Sequence, residues 1–220
     1  MEWTSLVKLL SLLLRGALTS VQLFFYTLIF SLPLGLAVAL GRMSPKPWIR
    51  GPFKFYILVM RGTPLLLQII FVYFAPSFML PEGFRINLDR FVAAVIAFSL
   101  NYAAYFAEIY RGGIESIPRG QYEAAAVLGF TKSQTFMRII LPQVIKRILP
   151  PVSNEVITLV KDTALVQVLG ISELFRVAKN ESSRIFSTTP IFIAGLFYLM
   201  MNWLVTKVFH LSEQKLSYYQ

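Results

Sequence analysis

Four long stretches of this 220-residue chain contain no Asp, Glu, Lys or Arg. They cover residues 16–41, 62–81, 91–107 and 185–206, and most of their side chains are aliphatic or aromatic. A helix needs about 20 apolar residues to cross the hydrocarbon core of a bilayer. The whole chain is 56% apolar, whereas soluble domains are usually about 45–50% apolar. This pattern predicts an all-α integral membrane protein. It excludes an ordinary soluble enzyme, a secreted disulfide scaffold and a disordered chain.

The apolar runs and the prolines between them predict one transmembrane domain with five spans. The fourth span is the least apolar, because Glu155, Lys161 and Asp162 fall inside it. The first 15 residues are interpreted as an interfacial lead-in to the first span. The predicted spans cover residues 18–40, 53–80, 91–110, 145–169 and 190–210, and the segment 111–144 is the longest loop.

Basic residues are distributed unevenly between the two predicted sides of the membrane. One side carries 12 Lys and Arg against three acids, and the other carries seven against five. Cytoplasmic loops of membrane proteins are enriched in Lys and Arg. The basic-rich side, which includes segment 111–144 and the C-terminus, is therefore predicted to be cytoplasmic, with the N-terminus outside. The net charge of +10 is thus attributed to topology and not to nucleic-acid binding.

Several kinds of active site are excluded by composition. The chain has no cysteine and one histidine, His210, so it offers no thiol nucleophile, disulfide framework or metal centre. It also contains no Gly-Lys pair, which a Walker-type phosphate-binding loop requires. We therefore expect no catalytic residues, no metal and no ATP site in this chain.

Five of the ionisable residues inside the predicted spans are candidates for the site, because a charge at membrane depth costs about 2.5 kcal/mol or more unless it pairs or lines a cavity. On span 3, Asn101 and Glu108 share a helix face with Tyr105, and on span 4 a second polar face can point into the same cavity. Pairing between these charges or contact with lipid headgroups is the alternative interpretation. The candidate substrate-binding residues are Asn154, Glu155, Thr158, Glu108, Asn101, Arg61, Lys161 and Asp162.

These side chains suit a zwitterionic amino acid, which needs an anion for its ammonium group and donors for its carboxylate. The five charges of the set, Arg61, Glu108, Glu155, Lys161 and Asp162, sum to −1. The excess acid favours a substrate with a cationic side chain, such as arginine, lysine or histidine.

Residues 118–142 of the cytoplasmic segment contain a short ordered pattern. Alanines favour a helix from Gln121 to Leu128, and Gly129 can end it in the left-handed conformation. A second helical stretch is expected from Thr131 to Ile140, stopping before Pro142. Three adjacent alanines form a thin helix face, which allows the backbone of a partner to approach closely.

The order of residues in this pattern resembles the signature loop of the membrane subunits of bacterial binding-protein-dependent ABC importers. Arg61 to Leu66 with Gln68, Ala107 to Ile114, and Asn154 with Leu159 to Thr163 resemble motifs of the polar amino-acid subfamily. The resemblance covers about residues 18–210. The positions of the loop motif that match are Glu123, Ala124, Ala125, Gly129, Ile139, Leu141 and Pro142.

The resemblance implies the five-span transmembrane domain of a type I ABC importer, with a coupling helix between spans 3 and 4. The residues carried over to ATPase coupling are Glu123, Ala124, Ala125, Gly129, Leu141 and Pro142. The implied partners are a cytoplasmic ATP-binding subunit that holds ATP and Mg, an extracytoplasmic amino-acid binding protein and a second permease. A homodimer is favoured over a heterodimer, because nothing in the chain is specialised for one half of a pair. The implied location is the bacterial inner membrane.

Two other functions stay open at the level of sequence. In an ion-gradient-driven transporter, Glu108, Glu155 and Asp162 would be proton or sodium sites, although the number of spans is odd and no inverted repeat is visible. A membrane-embedded enzyme or assembly factor is less well supported, since no catalytic pair of carboxylates or histidine cluster is present.

Overall fold

A computed structural model describes residues 3–79, 81–83 and 85–215, with side chains from residue 5 onward. Every regular element in these ranges is a helix. The first, α1 (Trp3–Arg42), is continuous over 40 residues. The residues interpreted as an interfacial lead-in are therefore part of the first long helix, which runs through Arg15 and Gly16 without a break.

The other helices follow in chain order. They are α2 (Pro47–Gly62), α3 (Leu65–Phe78), α4 (Arg90–Glu115), α5 (Arg119–Val127), α6 (Lys132–Gln134), a π-helical segment (Thr135–Ile140), α7 (Leu141–Asp162), a 3₁₀ segment (Thr163–Leu169), α8 (Leu174–Ile185) and α9 (Thr189–Lys215).

Three of the described helices, α1, α4 and α9, are long and apolar enough to cross a membrane. The number rises to four if α2 and α3 together form one crossing. Helix α7, which contains most of the predicted fourth span, does not belong to this set, because its charged residues interrupt the apolar run. The five-span topology and the placement of the termini stay predictions.

The predicted second span is not one straight helix. Helices α2 and α3 meet at an angle of 111°, and the break lies at Thr63 and Pro64. Thr63 is extended, with φ −121° and ψ 148°, because the residue before a proline is driven out of the helical region. Pro64 then precedes α3, where its missing N–H is not needed. The last residue of the predicted span, Leu80, lies outside the described residues.

Helix α4 is the centre of the fold and packs along α1. One side of α4 is lined with buried alanines, among them Ala97, Ala103 and Ala107. Gly35 of α1 faces this side so closely that an added Cβ would lie 2.9 Å from the Cβ of Phe106. Small residues allow membrane helices to approach each other closely, so this pair of helices forms a tightly packed support for the neighbouring elements.

Helix α8 was not expected from the sequence, because its composition is polar. It begins at Glu173, whose carboxylate accepts hydrogen bonds from the amides of Phe175 at 2.7 Å and Arg176 at 2.6 Å. The Tyr198 hydroxyl of α9 donates to the same carboxylate at 3.0 Å. Glu173 is fully buried, and this burial raises the pKa of its carboxyl although the hydrogen bonds oppose the shift. Glu173 thus joins α8 to α9.

Candidate functional site

The break between α2 and α3 is closed by side-chain hydrogen bonds. Pro64 has no N–H, so the Met60 carbonyl loses its partner four residues along the chain. The Gln68 amide nitrogen donates to this carbonyl at 3.0 Å, and to the Thr63 carbonyl at 3.1 Å and hydroxyl at 2.8 Å. The broken backbone of α2 is therefore tied to the first turn of α3.

Asn101 joins the same break to α4. Its amide nitrogen donates to the Met60 carbonyl at 3.0 Å and to the Gln68 side-chain oxygen at 2.9 Å. Asn101 is buried. Gln68 and Asn101 together occupy the carbonyls of Met60 and Thr63 at this break, so neither carbonyl is left without a donor.

Removing the Gln68 amide should weaken this junction measurably. We expect Gln68→Leu to destabilise the protein by about 1–3 kcal/mol in total, because the Thr63 carbonyl and the Asn101 amide each lose a partner, while the Met60 carbonyl keeps its hydrogen bond from Asn101. Gln22→Leu is the matched control, because Gln22 is an exposed residue of α1 whose side chain has no hydrogen bond in the described part of the chain. Thermal unfolding in detergent would compare the two variants, and equal melting temperatures would contradict a structural role for Gln68.

Glu108 is surrounded by arginines from three helices. Its carboxylate lies 2.6 Å from Arg111, 3.9 Å from Arg42 and 4.0 Å from Arg61. Arg111 also pairs with Glu115 at 2.5 Å. Glu108 is thus neutralised by its own neighbours, and Arg111, one helical turn further along α4, is its closest partner.

Arg61 lies at the edge of an open groove of about 450 Å³. Its guanidinium sits 5.2 Å from the centre of the Tyr105 ring, a cation–π geometry. Its side chain is 44% exposed, and its one ion pair in the described residues is the 4.0 Å contact with Glu108. Arg42 and Lys54 also line the groove. This excess of positive charge suits a carboxylate.

Glu155 and Asp162 lie two helical turns apart on α7, and both side chains are partly buried. Neither has a described Lys or Arg within 4.0 Å, since the ion pairs of the described residues lie elsewhere. The positive charge of Arg61 attracts the Glu155 carboxylate without a direct contact. Asp162 accepts a hydrogen bond from the Tyr102 hydroxyl at 2.8 Å. These are two desolvated carboxylates without a direct cationic partner.

Asn154, Thr158 and Lys161 form an exposed stripe along α7. The Thr158 hydroxyl donates to the Asn154 carbonyl of its own helix at 3.0 Å. The structure therefore brings Arg61, Glu108, Asn101, Glu155 and Asp162 around the junction of α2, α4 and α7. The other three predicted residues lie on the adjoining exposed side of α7.

Helix α5 is a short, exposed helix with a well-defined end. Gly129 adopts φ +79°, and the amides of Gly129 and Phe130 donate to the carbonyls of Ala126 and Ala125, both at 3.0 Å. This is a Schellman ending, in which a left-handed glycine satisfies the last carbonyls of a helix. Ala125 is buried, whereas Glu123 and Ala124 are exposed.

The helix after α5 does not stop before Pro142, as the sequence indicated. Thr131 and Gln134 form a capping box that starts the new helix. The chain then passes through the π-helical segment, where the Leu141 amide bonds to the Phe136 carbonyl five residues back, and continues into α7. Pro142 occupies the first turn of α7, where a proline is tolerated.

Several residues of the site were not assigned a role from the sequence. Val127 and Leu128 end α5 with 88% and 73% of their surfaces exposed, and their apolar character next to the alanines was the available signal. Tyr102 belongs to the same helix as Asn101, but nothing in a single sequence indicates that its hydroxyl meets a carboxylate 60 residues away.

Comparison with known proteins identifies the family. Residues 31–218 match the model of the binding-protein-dependent transport system inner membrane component family. The chain is 39% identical over 206 residues to the L-cystine transport system permease protein TcyB of Bacillus subtilis, covering 93% of this chain and 86% of that protein. It is 36% identical over 221 residues to the arginine transport system permease protein ArtQ of the same organism, covering 99% and 98%.

A solved structure of an amino acid ABC transporter is also similar to this chain. A crystal structure of an amino acid ABC transporter with histidines aligns with a TM-score of 0.87 at 35% identity, covering 98% of this chain and 99% of that chain. The relatives are permease subunits whose ATPase is a separate polypeptide. The chain therefore belongs to the family of binding-protein-dependent transport system inner membrane components and is a permease subunit of an ABC importer.

Proposed function

We propose that this permease subunit carries a cationic L-amino acid across the bacterial inner membrane by alternating access. The observation that carries the proposal is the pair of partly buried acids, Glu155 and Asp162, which have no cation within 4.0 Å in the described residues. A buried charge is costly unless it is paired. A cationic side chain placed between these two acids would supply the missing partner.

The opposite end of the substrate finds a partner in Arg61. This side chain is half-exposed and only loosely paired, so its guanidinium is free to hold a carboxylate in the two-pronged geometry that arginine favours. Asn154, Thr158 and Lys161 would line the path on the exposed side of α7. Glu108 and Asn101 would support the site by holding Arg61 and the helix break in place.

The relatives' names do not decide the substrate. One is a permease protein of an L-cystine system and another of an arginine system. The preference for a cationic side chain therefore rests on the acids of α7. Of the five charges counted in the spans, Glu108 is already neutralised by Arg111. The other four, Arg61, Lys161, Glu155 and Asp162, sum to zero, so the preference rests on the two acids that lack a direct cationic partner and not on the net charge.

We further propose that α5 is the coupling helix and docks on a cytoplasmic ATP-binding subunit, which holds ATP and Mg. Its exposed surface joins Glu123 and Ala124 to the apolar side chains of Val127 and Leu128. Gly129 ends α5, and Leu141 and Pro142 form the first turn of α7, which leads back to the membrane. An extracytoplasmic binding protein would deliver the substrate, and a second permease, favoured to be an identical copy, would complete the pathway.

The test is uptake of radiolabelled L-arginine into liposomes that contain the permease, with and without its ATP-binding subunit. Binding protein would be supplied outside and ATP inside. We expect uptake only when both the ATP-binding subunit and ATP are present. L-Glutamate and L-glutamine under the same conditions are the controls for charge. Preference for either of them over L-arginine, or uptake driven by an ion gradient without ATP, would contradict the proposal.

A further inference from the structure

The Tyr102 ring is held rigidly in the middle of α4. Tyr102 is 2% exposed, and its ring centre lies 6.3 Å from that of Phe98 and 6.2 Å from that of Phe106. With the ring fixed by these neighbours, the hydroxyl has one direction to point. It donates a hydrogen bond to the carboxylate oxygen Oδ2 of Asp162 at 2.8 Å.

This hydrogen bond determines which part of Asp162 is available to a ligand. An ionised carboxylate has two oxygens with about four acceptor positions. Tyr102 occupies one position on Oδ2, and no other hydrogen bond to this carboxylate is formed by the part of the chain that the structure describes. A hydrogen bond from a neutral donor also leaves the negative charge in place, whereas an arginine or lysine in the same position would neutralise it.

The same bond connects the site to the cytoplasmic segment. Helix α4 is continuous from Tyr102 to Glu115, and three residues separate its end from α5. Further contacts fix α4 to its surroundings, since the Tyr56 hydroxyl of α2 donates to the Leu100 carbonyl at 2.5 Å. The position of the Tyr102 hydroxyl is therefore set by α4, whereas that of the Asp162 carboxylate is set by α7.

We propose that Tyr102 is a positioning residue that orients the Asp162 carboxylate toward the cationic group of the substrate. This inference rests on the proposed function, because it assumes that Asp162 contacts an amino acid. Tyr102 itself does not touch the substrate. Its contribution is to hold Asp162 in one orientation.

The test measures equilibrium binding of radiolabelled L-arginine and L-glutamine to the purified importer complex without binding protein. Tyr102→Phe keeps the ring and its packing but removes the hydroxyl. We expect it to weaken L-arginine binding about tenfold and to change L-glutamine binding less than twofold. Tyr26→Phe is the matched control, because the Tyr26 hydroxyl has no hydrogen bond in the described residues and its ring packs against Phe91 at the start of α4, and we expect no change.

A double substitution separates positioning from packing. If Tyr102 acts through Asp162, Tyr102→Phe has no further effect on L-arginine binding in an Asp162→Asn background. A tenfold loss that persists in that background overturns the inference, as does an equal loss for both amino acids. Asp162→Glu provides a second route if Tyr102→Phe lowers the folded yield. It keeps the charge but moves the carboxylate away from the hydroxyl, and should also weaken L-arginine binding about tenfold.

Different results would contradict the substrate site at Asp162 and the positioning role of Tyr102. If Asp162→Asn leaves L-arginine binding unchanged, or if the unmodified complex does not bind L-arginine, the proposed substrate site is wrong. If Asp162→Asn weakens binding but Tyr102→Phe and Asp162→Glu do not, the substrate site stands and the positioning role of Tyr102 is wrong.

Discussion

Val127→Asp should abolish ATP-driven uptake while leaving the permease folded. Val127 is 88% exposed at the end of α5, so an aspartate there has full access to water in the isolated subunit. If α5 docks on the ATP-binding subunit, the same carboxylate is buried without a partner, which costs several kcal/mol. Uptake into liposomes, together with co-purification of the ATP-binding subunit, would measure the loss.

Val127→Ile is the matched control for this experiment, because it keeps an apolar side chain of similar shape. We expect it to retain uptake and the association of the two subunits. Gel filtration of the Val127→Asp permease alone should show the same elution as the unmodified chain. Coupled uptake at the normal rate by Val127→Asp would mean that α5 does not contact the ATPase.

The sequence predicts a helix well when the residues of that helix themselves make it stable. Helices α1, α4 and α9 follow from long apolar runs, since apolar length alone makes a membrane helix favourable. Helix α8 is different, because its residues are polar and it is held by contacts made elsewhere in the chain. Glu173 caps it, and Leu174 and Ala178 pack against Leu13 of α1, a contact that no local pattern reveals.

The effect of a proline on a helix also depends on contacts that the local sequence does not show. One proline of this chain ends a helix, and another is accommodated within one. Pro64 ends α2 inside the predicted second span, and Gln68 and Asn101 donate to the carbonyls at the resulting 111° break. Pro142 was expected to stop a helix, yet the chain widens into a π-helical segment before it and continues. The sequence therefore shows where a helix is irregular. Whether the helix breaks or continues depends on the hydrogen-bond donors nearby and on the spacing of its backbone hydrogen bonds.

The candidate site was predictable as a set of residues but not as a set of pairs. Helical spacing placed Asn101, Tyr105 and Glu108 on one face of α4, and they do lie around the same junction. Spacing does not tell which acid is already neutralised. Arg111, one turn beyond Glu108, was counted as a topology signal in a loop, because the predicted span ended before it, but α4 continues to Glu115.

The difference between paired and unpaired acids leads to the prediction with the largest effect on substrate affinity. We expect Glu155→Gln to weaken binding of L-arginine about 100-fold, since truncating one partner of a desolvated charge pair costs about 2–5 kcal/mol and tenfold in affinity corresponds to about 1.4 kcal/mol. The side chain keeps its size, so the loss comes from the charge. Binding of radiolabelled L-arginine to the purified complex would measure it.

Glu181→Gln is the matched control for Glu155→Gln. It makes the same chemical change on α8, where Glu181 pairs with Arg184 at 2.7 Å and which packs mainly on α1 and α9, away from the candidate site. We expect L-arginine binding to this variant to equal that of the unmodified complex. Glu155→Gln should also narrow the preference for L-arginine over L-glutamine, because only the cationic side chain needs the carboxylate. An equal loss for both amino acids would assign Glu155 to the shared ammonium group or to the packing of α7, and unchanged binding of both would place the substrate elsewhere in the permease.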